Sequence, residues 1–363
     1  MRTATTFADL TTLRVGGKVG VLVDADREAE IVDAVRGADD LGASLLVLGG
    51  GSNLVVSDKG FAGAVVRDAR TDIAVDPGAS DEVTVTVAAG TPWDEVVERA
   101  VEEGWSGIEA MSGIPGSTGA TPVQNVGAYG QEVSGAISSI RVWDRDTSEI
   151  RSLSREGCGF AYRDSLLKRS MRGEAGDGRR WRPTPRFVVL QVVFRLEKGP
   201  LSSPIAYAEL ATILDVPVGR RVPLGDAREA VLALRRSKGM LLDPKDHDTW
   251  SVGSFFTNPV LTADEAKRLP EEAPRYPVEG EAAGGSVKTS AAWLITRAGF
   301  GRGFAFDPDA PVSLSAKHTL ALTNRGGATA KDIVALARHI RDGVRDAFGI
   351  TLEPEPVLVG VSL

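Results

Sequence analysis

Apolar and polar positions in the first part of the chain follow the order strand, helix, strand. The pattern predicts a strand over residues 19–23, an amphipathic helix over residues 28–38 and a second strand at Leu45–Leu48. Three glycines follow, and Leu54–Val56 continues as extended chain. This order predicts a compact α/β unit that ends near residue 66.

A second unit of this kind begins at residue 81. In the segment DEVTVTV, valine occupies alternate positions across residues 83–87, which predicts a half-buried strand. Thr91 is then predicted to cap a helix, with Pro92 at the first helical position and Gly104 at the end.

Two amphipathic helices are predicted in the last quarter of the chain. The first ends before Gly299, and the second begins with a capping box of Thr329 and Asp332 and ends at Gly349. Their apolar stripes consist of Ala291, Leu294, Ile295 and Ala298, and of Ile333, Ala337, Ile340 and Val344. The last residues, ITLEPEPVLVGVSL, predict an extended segment.

Residues 171–186, MRGEAGDGRRWRPTPR, interrupt the pattern with glycine, arginine and proline. They predict a long exposed loop that precedes a strand over residues 187–194. The arginines could attract nucleotide phosphates, but a solvated loop is the simpler interpretation.

Composition and charge narrow the class of protein. The chain has 363 residues, of which 42% are hydrophobic and 25% charged, and this is typical of a globular protein with roughly two or three domains. Its net charge of −7 argues against nucleic acid and anionic membranes as partners. No apolar run reaches the ~18 residues that a membrane span needs, and the first residues lack the apolar centre of a signal peptide.

Cysteine and histidine are scarce in this chain. Cys158 is the only cysteine, so no disulfide can form within the chain, and a cytoplasmic location is expected. With three histidines and neither CxxC nor HExxH, no metal site is predicted.

Two glycine-rich segments predict an anion site. In LVLGGGSNLVV, Gly49–Gly51 would let backbone N–H groups approach a phosphate, while Ser52 and Asn53 add donors, although a tight turn is an alternative. The second segment, residues 107–130, reads GIEAMSGIPGSTGATPVQNVGAYG; its apolar residues argue against the alternative of a solvated loop. Neither segment is a GxGxxG or Walker motif, so Rossmann and P-loop sites are not supported.

Taken in order, the segments GGGSN, GIPGSTGATPVQNVGAYG, YRDS, VGSFFTNP and LEPE resemble the UDP-N-acetylenolpyruvoylglucosamine reductase family, also called UDP-N-acetylmuramate dehydrogenases. The matching segments lie between residues 16 and 355. The resemblance therefore covers nearly the whole chain.

The resemblance implies an α+β fold. An FAD-binding domain of two α/β subdomains, similar to that of vanillyl-alcohol oxidase, is expected to hold the flavin between them, and a C-terminal α+β domain to bind substrate. We expect residues 1–68, joined by residues 350–363, to form the first subdomain. Residues 69–238 would form the second, and residues 239–349 the substrate-binding domain.

The resemblance also implies a reaction. NADPH reduces FAD, and the flavin then reduces the enolpyruvyl ether of UDP-N-acetylglucosamine to UDP-N-acetylmuramate for cell-wall peptidoglycan. The residues expected to bind FAD are Gly49, Gly50, Gly51, Ser52, Asn53, Leu54, Gly113, Ile114, Pro115, Gly116, Ser117, Thr118, Asn125, Gly127, Ala128 and Tyr129.

Hydride attack at C3 of the enol ether builds negative charge at C2 and its carboxylate, so the site needs a cation and an acid. By resemblance, Arg163 stabilises the carboxylate, Ser254 protonates C2 and Glu355 works with Arg163 on the enediolate. Read without the family, Arg163 would form a surface ion pair with Asp164, and Ser254 would be a turn serine.

Four further residues are expected to contact the substrate: Tyr207, Lys238, Asn258 and His318. Lys238 matches a lysine that binds the diphosphate. An alternative remains open for two of these residues. Tyr207 could lie on the face of a helix, and His318 could be a structural histidine at the end of a strand. Pro356 and Val357 stand where many relatives have Val-Arg, so an arginine contact with the flavin is doubtful here.

Two other functions remain open. An FAD-dependent oxidase or dehydrogenase of sugars or hydroxy acids would use such a flavin domain, but it leaves GSFFTNP and LEPE unexplained. A nucleotide-binding protein without catalysis is the third possibility. No coiled coil or large apolar stripe predicts assembly, so a monomer is expected.

Overall fold

A computed structural model describes residues 6–78, 81–278 and 286–363. Within these residues the chain forms eight α-helices: α1 Glu28–Asp40, α2 Trp93–Glu102, α3 Leu166–Ser170, α4 Ala208–Ile213, α5 Leu224–Ser237, α6 Ala263–Lys267, α7 Ala291–Arg297 and α8 Ala330–Phe348. Single turns of 3-10 helix lie at Phe7–Asp9, Glu109–Met111, Thr118–Ala120, Val133–Gly135 and His247–Thr249.

The strands of the same residues are β1 Val19–Ala25, β2 Leu45–Leu48, β3 Leu54–Val56, β4 Phe61–Asp68, β5 Ile73–Asp76, β6 Glu82–Ala88, β7 Trp105–Ser106, β8 Gly127–Ala128, β9 Gln131–Glu132, β10 Ile137–Asp144, β11 Glu149–Ser154, β12 Phe187–Lys198, β13 Val260–Leu261, β14 Tyr276–Pro277, β15 Val287–Lys288, β16 Val312–Leu314, β17 Leu322–Asn324 and β18 Val357–Val359. Helices and strands are both abundant, as an α+β fold requires.

The chain divides into two compact units. The first unit consists of Met1–Lys18, Ser52–Phe61 and Leu242–Leu363, and the second unit consists of Val19–Gly51 and Ala62–Leu241. The chain therefore passes from the second unit to the first inside the GGGSN segment, between Gly51 and Ser52. The expected division into three domains stays a prediction.

The second unit contains an antiparallel sheet with the strand order β11-β10-β12-β6-β5, and β7 also pairs with β12. The alternate valines of β6 are at most 1% exposed, because one face of that strand packs into the core. Helix α2 covers this core with Trp93, Val96 and Val97. The predicted strand over residues 83–87 is confirmed.

A smaller sheet of the second unit carries the first glycine segment. Strand β2 pairs in parallel with β4, and β1 lies on the other side of β4. Helix α1 buries Ile31, Val32 and Val35 in the core that it shares with Leu45 of β2. The predicted strand, helix and strand of this region are therefore confirmed, with α1 two residues longer at its end.

The first unit is built around the two predicted amphipathic helices. The stripe of α8 is fully buried, its capping box of Thr329 and Asp332 is formed, and Gly349 ends it with a φ of +69°. Strand β18 pairs in parallel with β3, so that Val357 lies opposite Leu54. The extended segment predicted at the C-terminal end is thereby confirmed for β18.

Thr91 is not the N-cap of α2, and this prediction is wrong. The carbonyl oxygen of Thr91 accepts hydrogen bonds from Thr118 N (2.8 Å) and Thr118 Oγ1 (2.9 Å), and Pro92 pairs with Ser117. Residues 91–92 are therefore held extended against the second glycine segment, and the helix begins one residue late, at Trp93. A capping pattern does not reveal such a distant partner.

The prediction of an exposed loop over residues 171–186 is also wrong in part. Trp181 and Thr184 are each only 2% exposed. Thr184 Oγ1 donates to Leu45 O (3.0 Å) and accepts from Val47 N (2.8 Å), which attaches the loop to the edge of β2. The Trp181 ring stacks beneath the guanidinium of Arg179, with 3.7 Å from Cζ to the ring centroid.

Candidate active site

The two glycine-rich segments lie directly against each other in the second unit. A Cβ atom added to Gly50 would lie 2.7 Å from the Cα of Gly116, and one added to Gly49 would lie 2.5 Å from Ser117 Oγ. Gly116 also has a φ of +129°, which L side chains rarely adopt. These glycines are needed because two backbones approach each other more closely than any side chain allows.

This arrangement fits the pyrophosphate of a dinucleotide. Peptide units without side chains from Gly49–Gly50 and Gly116 occur at one place, and the Ser117 hydroxyl lies beside them. Among the other predicted flavin residues, Thr118 is fully buried and its hydroxyl donates to Thr91 O, so that hydroxyl already serves the fold.

Asn125 organises the end of the second glycine segment. Its side chain is 1% exposed, donates from Nδ2 to Glu132 Oε2 (2.7 Å) and Ala161 O (3.0 Å), and accepts from Ser134 N (3.1 Å). The amide therefore joins three parts of the second unit. The expectation that Asn125 contacts the cofactor stays untested, but its side chain clearly has a structural task.

Arg163 extends from the turn that Asn125 holds. Ala161 and Asp164 exchange backbone hydrogen bonds across this turn, and Arg163 within it has a φ of +51°. The guanidinium donates from Nη1 to Asn125 O (3.2 Å) and from Nη2 to Gly127 O (2.6 Å). Two bonds to fixed carbonyl oxygens set the orientation of the guanidinium plane.

Strained backbone accumulates around Arg163. Six non-glycine residues of the described chain have φ between +48° and +56°, and three of these, Asn125, Tyr129 and Arg163, are predicted site residues. Left-handed backbone is unfavourable for such residues and persists where surrounding structure enforces it, often at functional sites.

A second group of predicted residues forms an aromatic and cationic cluster in the same unit. The rings of Tyr129 and Tyr207 meet edge to face with centroids 5.5 Å apart. Lys238 Nζ lies 5.6 Å from the Tyr129 centroid and forms an ion pair with Glu209. Burial raises the pKa of Tyr129 to about 12, so its hydroxyl stays protonated and can donate a hydrogen bond.

Arg235 lies beneath the Gly113 turn, next to this cluster. It is 8% exposed, Nη2 donates to Met240 O (2.8 Å), and Nε has no hydrogen-bond partner within the described part of the chain. Burial lowers the pKa of Arg235, although the nearby Tyr129 and Asp94 act in the opposite direction. A buried cation thus lies close to the segment expected to hold a pyrophosphate.

The first unit contains Ser254, His318 and Glu355. Phe255 N donates to Leu320 O (2.7 Å) and Glu355 N donates to Phe255 O (2.8 Å), so main-chain bonds join the segments that carry all three residues. The Ser254 hydroxyl lies 3.4 Å from His318 Nε2.

Asn53 and Asn258 are also attached to the backbone of this unit. Asn53 Nδ2 donates to Glu355 O (3.4 Å), and Val357 N donates to Asn53 O (3.0 Å). Asn258 Oδ1 accepts from Ala291 N (3.0 Å), which caps the start of α7. The end of the first glycine segment is therefore bonded to the backbone at Glu355 and at the start of β18.

Glu109 is a site residue that sequence reasoning missed. Its buried carboxylate accepts hydrogen bonds from Gly107 N (2.7 Å), Ser203 N (2.6 Å) and Gln131 Nε2 (3.1 Å). It thereby fixes the β8–β9 hairpin, whose Gly127 carbonyl holds Arg163. The available signal was a single carboxyl group in the apolar run GIEAM.

Cys158, in contrast, is a packed core residue. It is fully buried, and burial raises the pKa of its thiol to about 12, so it is not a reactive thiolate. Among the described residues, no helix is long and apolar enough to cross a bilayer, and no three His, Cys, Asp or Glu side chains group as metal ligands would.

Known protein families match a part of each unit. Residues 19–153 match the family described as FAD binding domain, and residues 243–359 match UDP-N-acetylenolpyruvoylglucosamine reductase, C-terminal domain. The chain is 51% identical to the UDP-N-acetylenolpyruvoylglucosamine reductase of Thermobifida fusca, with 98% of this chain and 97% of the relative covered. It is 52% identical to that of Salinispora arenicola, with 97% and 94% covered.

The fold agrees with a solved structure. The crystal structure of UDP-N-acetylenolpyruvylglucosamine reductase from Thermus caldophilus matches with a TM-score of 0.64 at 24% identity and covers 98% of this chain and 97% of that chain. High identity over the full length of several curated relatives establishes more than the shared fold. This chain belongs to the UDP-N-acetylenolpyruvoylglucosamine reductase family.

Proposed function

We propose that Arg163, Ser254 and Glu355 carry the chemistry of the family's reaction in this chain. That reaction is the FAD- and NADPH-dependent reduction of enolpyruvyl-UDP-N-acetylglucosamine to UDP-N-acetylmuramate, a precursor of peptidoglycan. The observation that carries the assignment is the main-chain pairing that joins the Ser254 and Glu355 segments, since a proton donor and a carboxyl group are what this reduction requires.

The flavin would be held by Gly49–Gly51, Ser52 and Asn53 together with Gly113–Thr118. When bound, FAD accepts a hydride from NADPH and supplies it to the enol ether. The close approach of the two glycine segments and the buried charge of Arg235 both favour a pyrophosphate at this place.

Arg163 would stabilise the charge that develops on the substrate carboxylate. A guanidinium has five N–H donors in a rigid plane, and its bonds to Asn125 O and Gly127 O fix that plane before substrate arrives. A preoriented cation stabilises a transition state without reorganisation during the reaction.

Ser254 would donate its hydroxyl proton to C2. A serine hydroxyl is a weak acid, but a carbon that develops carbanion character is basic enough to accept its proton. Glu355 would act on the adjacent enediolate, because a carboxyl group beside the substrate carboxylate is favoured in its protonated, hydrogen-bond-donating form.

The proposed substrate contacts also include Lys238, Tyr207, Asn258 and His318. Support for Lys238 and Tyr207 comes from their cluster with Tyr129, where a cation and a phenol hydroxyl could bind a diphosphate. Asn258 has weaker support, because its Oδ1 caps α7.

An anaerobic experiment tests the proposal. The purified flavoprotein is reduced with one equivalent of NADPH, enolpyruvyl-UDP-N-acetylglucosamine is added, and the absorbance of oxidised flavin is followed. We expect its rapid return together with UDP-N-acetylmuramate. Reoxidation by oxygen but not by this substrate would favour the sugar oxidase, and protein that binds no FAD would exclude both enzymes.

We further propose that the protein is a cytoplasmic monomer with the three-domain division given above. Light scattering of the purified holoenzyme measures the mass: 38.3 kDa per chain is expected, and twice that mass would contradict a monomer.

A further inference from the structure

We propose that His318 is a positioning and proton-relay residue for Ser254. Its ring would turn the serine hydroxyl hydrogen away from the imidazole and return a proton to the serine after each transfer. The inference rests on the proposed role of Ser254 and adds to it the source of the proton.

The contact between the two residues is held from both sides. Ser254 is followed by Phe255, whose N–H donates to Leu320 O (2.7 Å). His318 lies in the turn between β16 and β17, which is closed by Ala321 N to His318 O (3.1 Å). The buried Ser315 also accepts from His318 N at its hydroxyl (3.2 Å). These bonds hold the backbones of the two residues close together, and Oγ and Nε2 lie 3.4 Å apart.

The orientation of the hydroxyl decides whether Ser254 can act. A hydroxyl has a single hydrogen, so Ser254 cannot protonate C2 while it donates to the ring. If Nε2 carries a hydrogen, Oγ becomes the acceptor and its own hydrogen points elsewhere. Hydrogen bonds of catalytic groups are often long before substrate binds and shorten in the complex, so 3.4 Å is compatible with this function.

With His318 as the relay, every proton transferred in the reaction has a source. The O–H bond of Ser254 breaks as the C–H bond at C2 forms, and the resulting alkoxide takes the proton from Nε2 of the imidazolium. The partly buried ring then takes up a proton from the solvent. One proton from solvent and one hydride from NADPH are consumed per product, as the reduction requires. An imidazolium ion, with an ordinary pKa near 6.5, is a far stronger acid than a serine hydroxyl.

Charged side chains of both signs lie on the segments around this turn. The charged side chains on the neighbouring segments are Asp243, Asp246, Asp248, Arg302, Lys317, Arg325, Glu353 and Glu355. Lys317 pairs with Asp246, and Arg325 pairs with Asp248. Charges of both signs therefore lie on the segments around the imidazole, and four of them form two ion pairs.

The first test measures the two half-reactions of the holoenzyme separately. His318→Gln keeps a hydrogen-bond donor but cannot ionise, and His318→Ala removes the group. We expect both variants to slow substrate-driven flavin reoxidation at least about tenfold and to flatten the alkaline limb of its pH profile, because the imidazolium that donates the proton is lost as the pH rises, with flavin reduction by NADPH unchanged. Added imidazole should restore part of the rate of His318→Ala only. His339→Gln, on the exposed side of α8, is the matched control.

The second test needs no turnover. The chain has three histidines, so imidazole NMR signals can be assigned with His247→Gln, His318→Gln and His339→Gln. Ser254→Ala should shift the titration of His318 and leave His339 unmoved. An unchanged His318 titration would overturn the contact.

The outcomes separate the two proposals. If the wild-type flavin is not reoxidised by substrate, the proposed function fails and the relay fails with it. If the wild type reacts but His318→Gln keeps its rate and pH profile, only the relay is overturned. Equal slowing of both half-reactions, or loss of flavin, would indicate a merely structural histidine and would also overturn it.

Discussion

The Arg163 region and the Ser254 region place their proposed catalytic side chains by different means. Arg163 is held by side-chain hydrogen bonds, its own to two carbonyl oxygens and those of Asn125 and Glu109 behind them. Ser254 is held by main-chain bonds of its neighbour Phe255. Single substitutions should therefore disturb the geometry of the first region, whereas in the second they should remove chemistry and leave the backbone in place.

The largest effect is expected for Ser254→Ala. Loss of the proposed proton donor should slow substrate-driven flavin reoxidation roughly 10²–10⁴-fold. Because Phe255 and Leu320 bond through their backbones, the urea midpoint should stay unchanged. Stopped-flow absorbance and urea unfolding measure the two quantities, and a fall in stability comparable to the fall in rate would contradict backbone placement.

Asn125→Ala should disturb the Arg163 region and lower both the stability of the protein and the rate of flavin reoxidation. It removes three hydrogen bonds of a side chain that is 1% exposed and leaves buried partners unsatisfied, so we expect a loss of about 2–4 kcal/mol in the free energy of unfolding. Reoxidation should slow as well, since the turn of Arg163 loses its anchor. Glu132→Gln keeps an acceptor for Asn125 and is the milder control.

Gly50→Ala tests the contact between the two glycine segments. The added Cβ would lie 2.7 Å from the backbone of Gly116, which cannot move aside as a side chain can. We expect a loss of about 1–3 kcal/mol and protein purified with less flavin. Gly37→Ala in α1, where a Cβ meets nothing within 4 Å, should stabilise by up to about 1 kcal/mol and keep its flavin. Equal behaviour of the two variants would refute the close-approach argument.

Asp94→Asn should have the smallest effect on the free energy of unfolding, and this effect should depend on pH. Burial acts to raise its pKa, but hydrogen bonds from Arg228 and Gly113 N and the charge of Arg228 lower it overall. A depressed carboxyl pKa contributes stability above the ordinary carboxyl range, and this is lost as the pH falls through the depressed value. The side chain is 38% exposed, so solvent screening limits the effect to below about 1 kcal/mol. Asp94→Asn should flatten the acid side of a stability-against-pH curve measured with urea.

Much of the secondary structure could be predicted from local sequence patterns. The helices around Ile333 and Leu294 and the strands at 45–48 and 83–87 follow from periodicity and caps, which depend on neighbours in sequence. The start of α2 and the burial of Trp181 and Thr184 could not be predicted, because partners far along the chain determine them.

The candidate site shows the same limit. Glycine runs and family motifs identified both glycine segments, and the structure brings them into contact. The residues that hold Arg163 in place act through distant partners: Glu109 accepts hydrogen bonds from the side chain of Gln131, 22 residues away, and from the backbone N–H of Ser203, 94 residues away. Such bonds leave almost no trace in residue spacing.

The pairing of Asn53 with Glu355 joins positions that are 302 residues apart. On the ribosome, the segment around Asn53 must therefore wait for almost the entire chain before it meets its partner, whereas the residues of the second unit are complete once Leu241 has been translated. We expect nascent chains stalled after residue 300 to resist protease across the second unit, while the residues of the first unit are still digested.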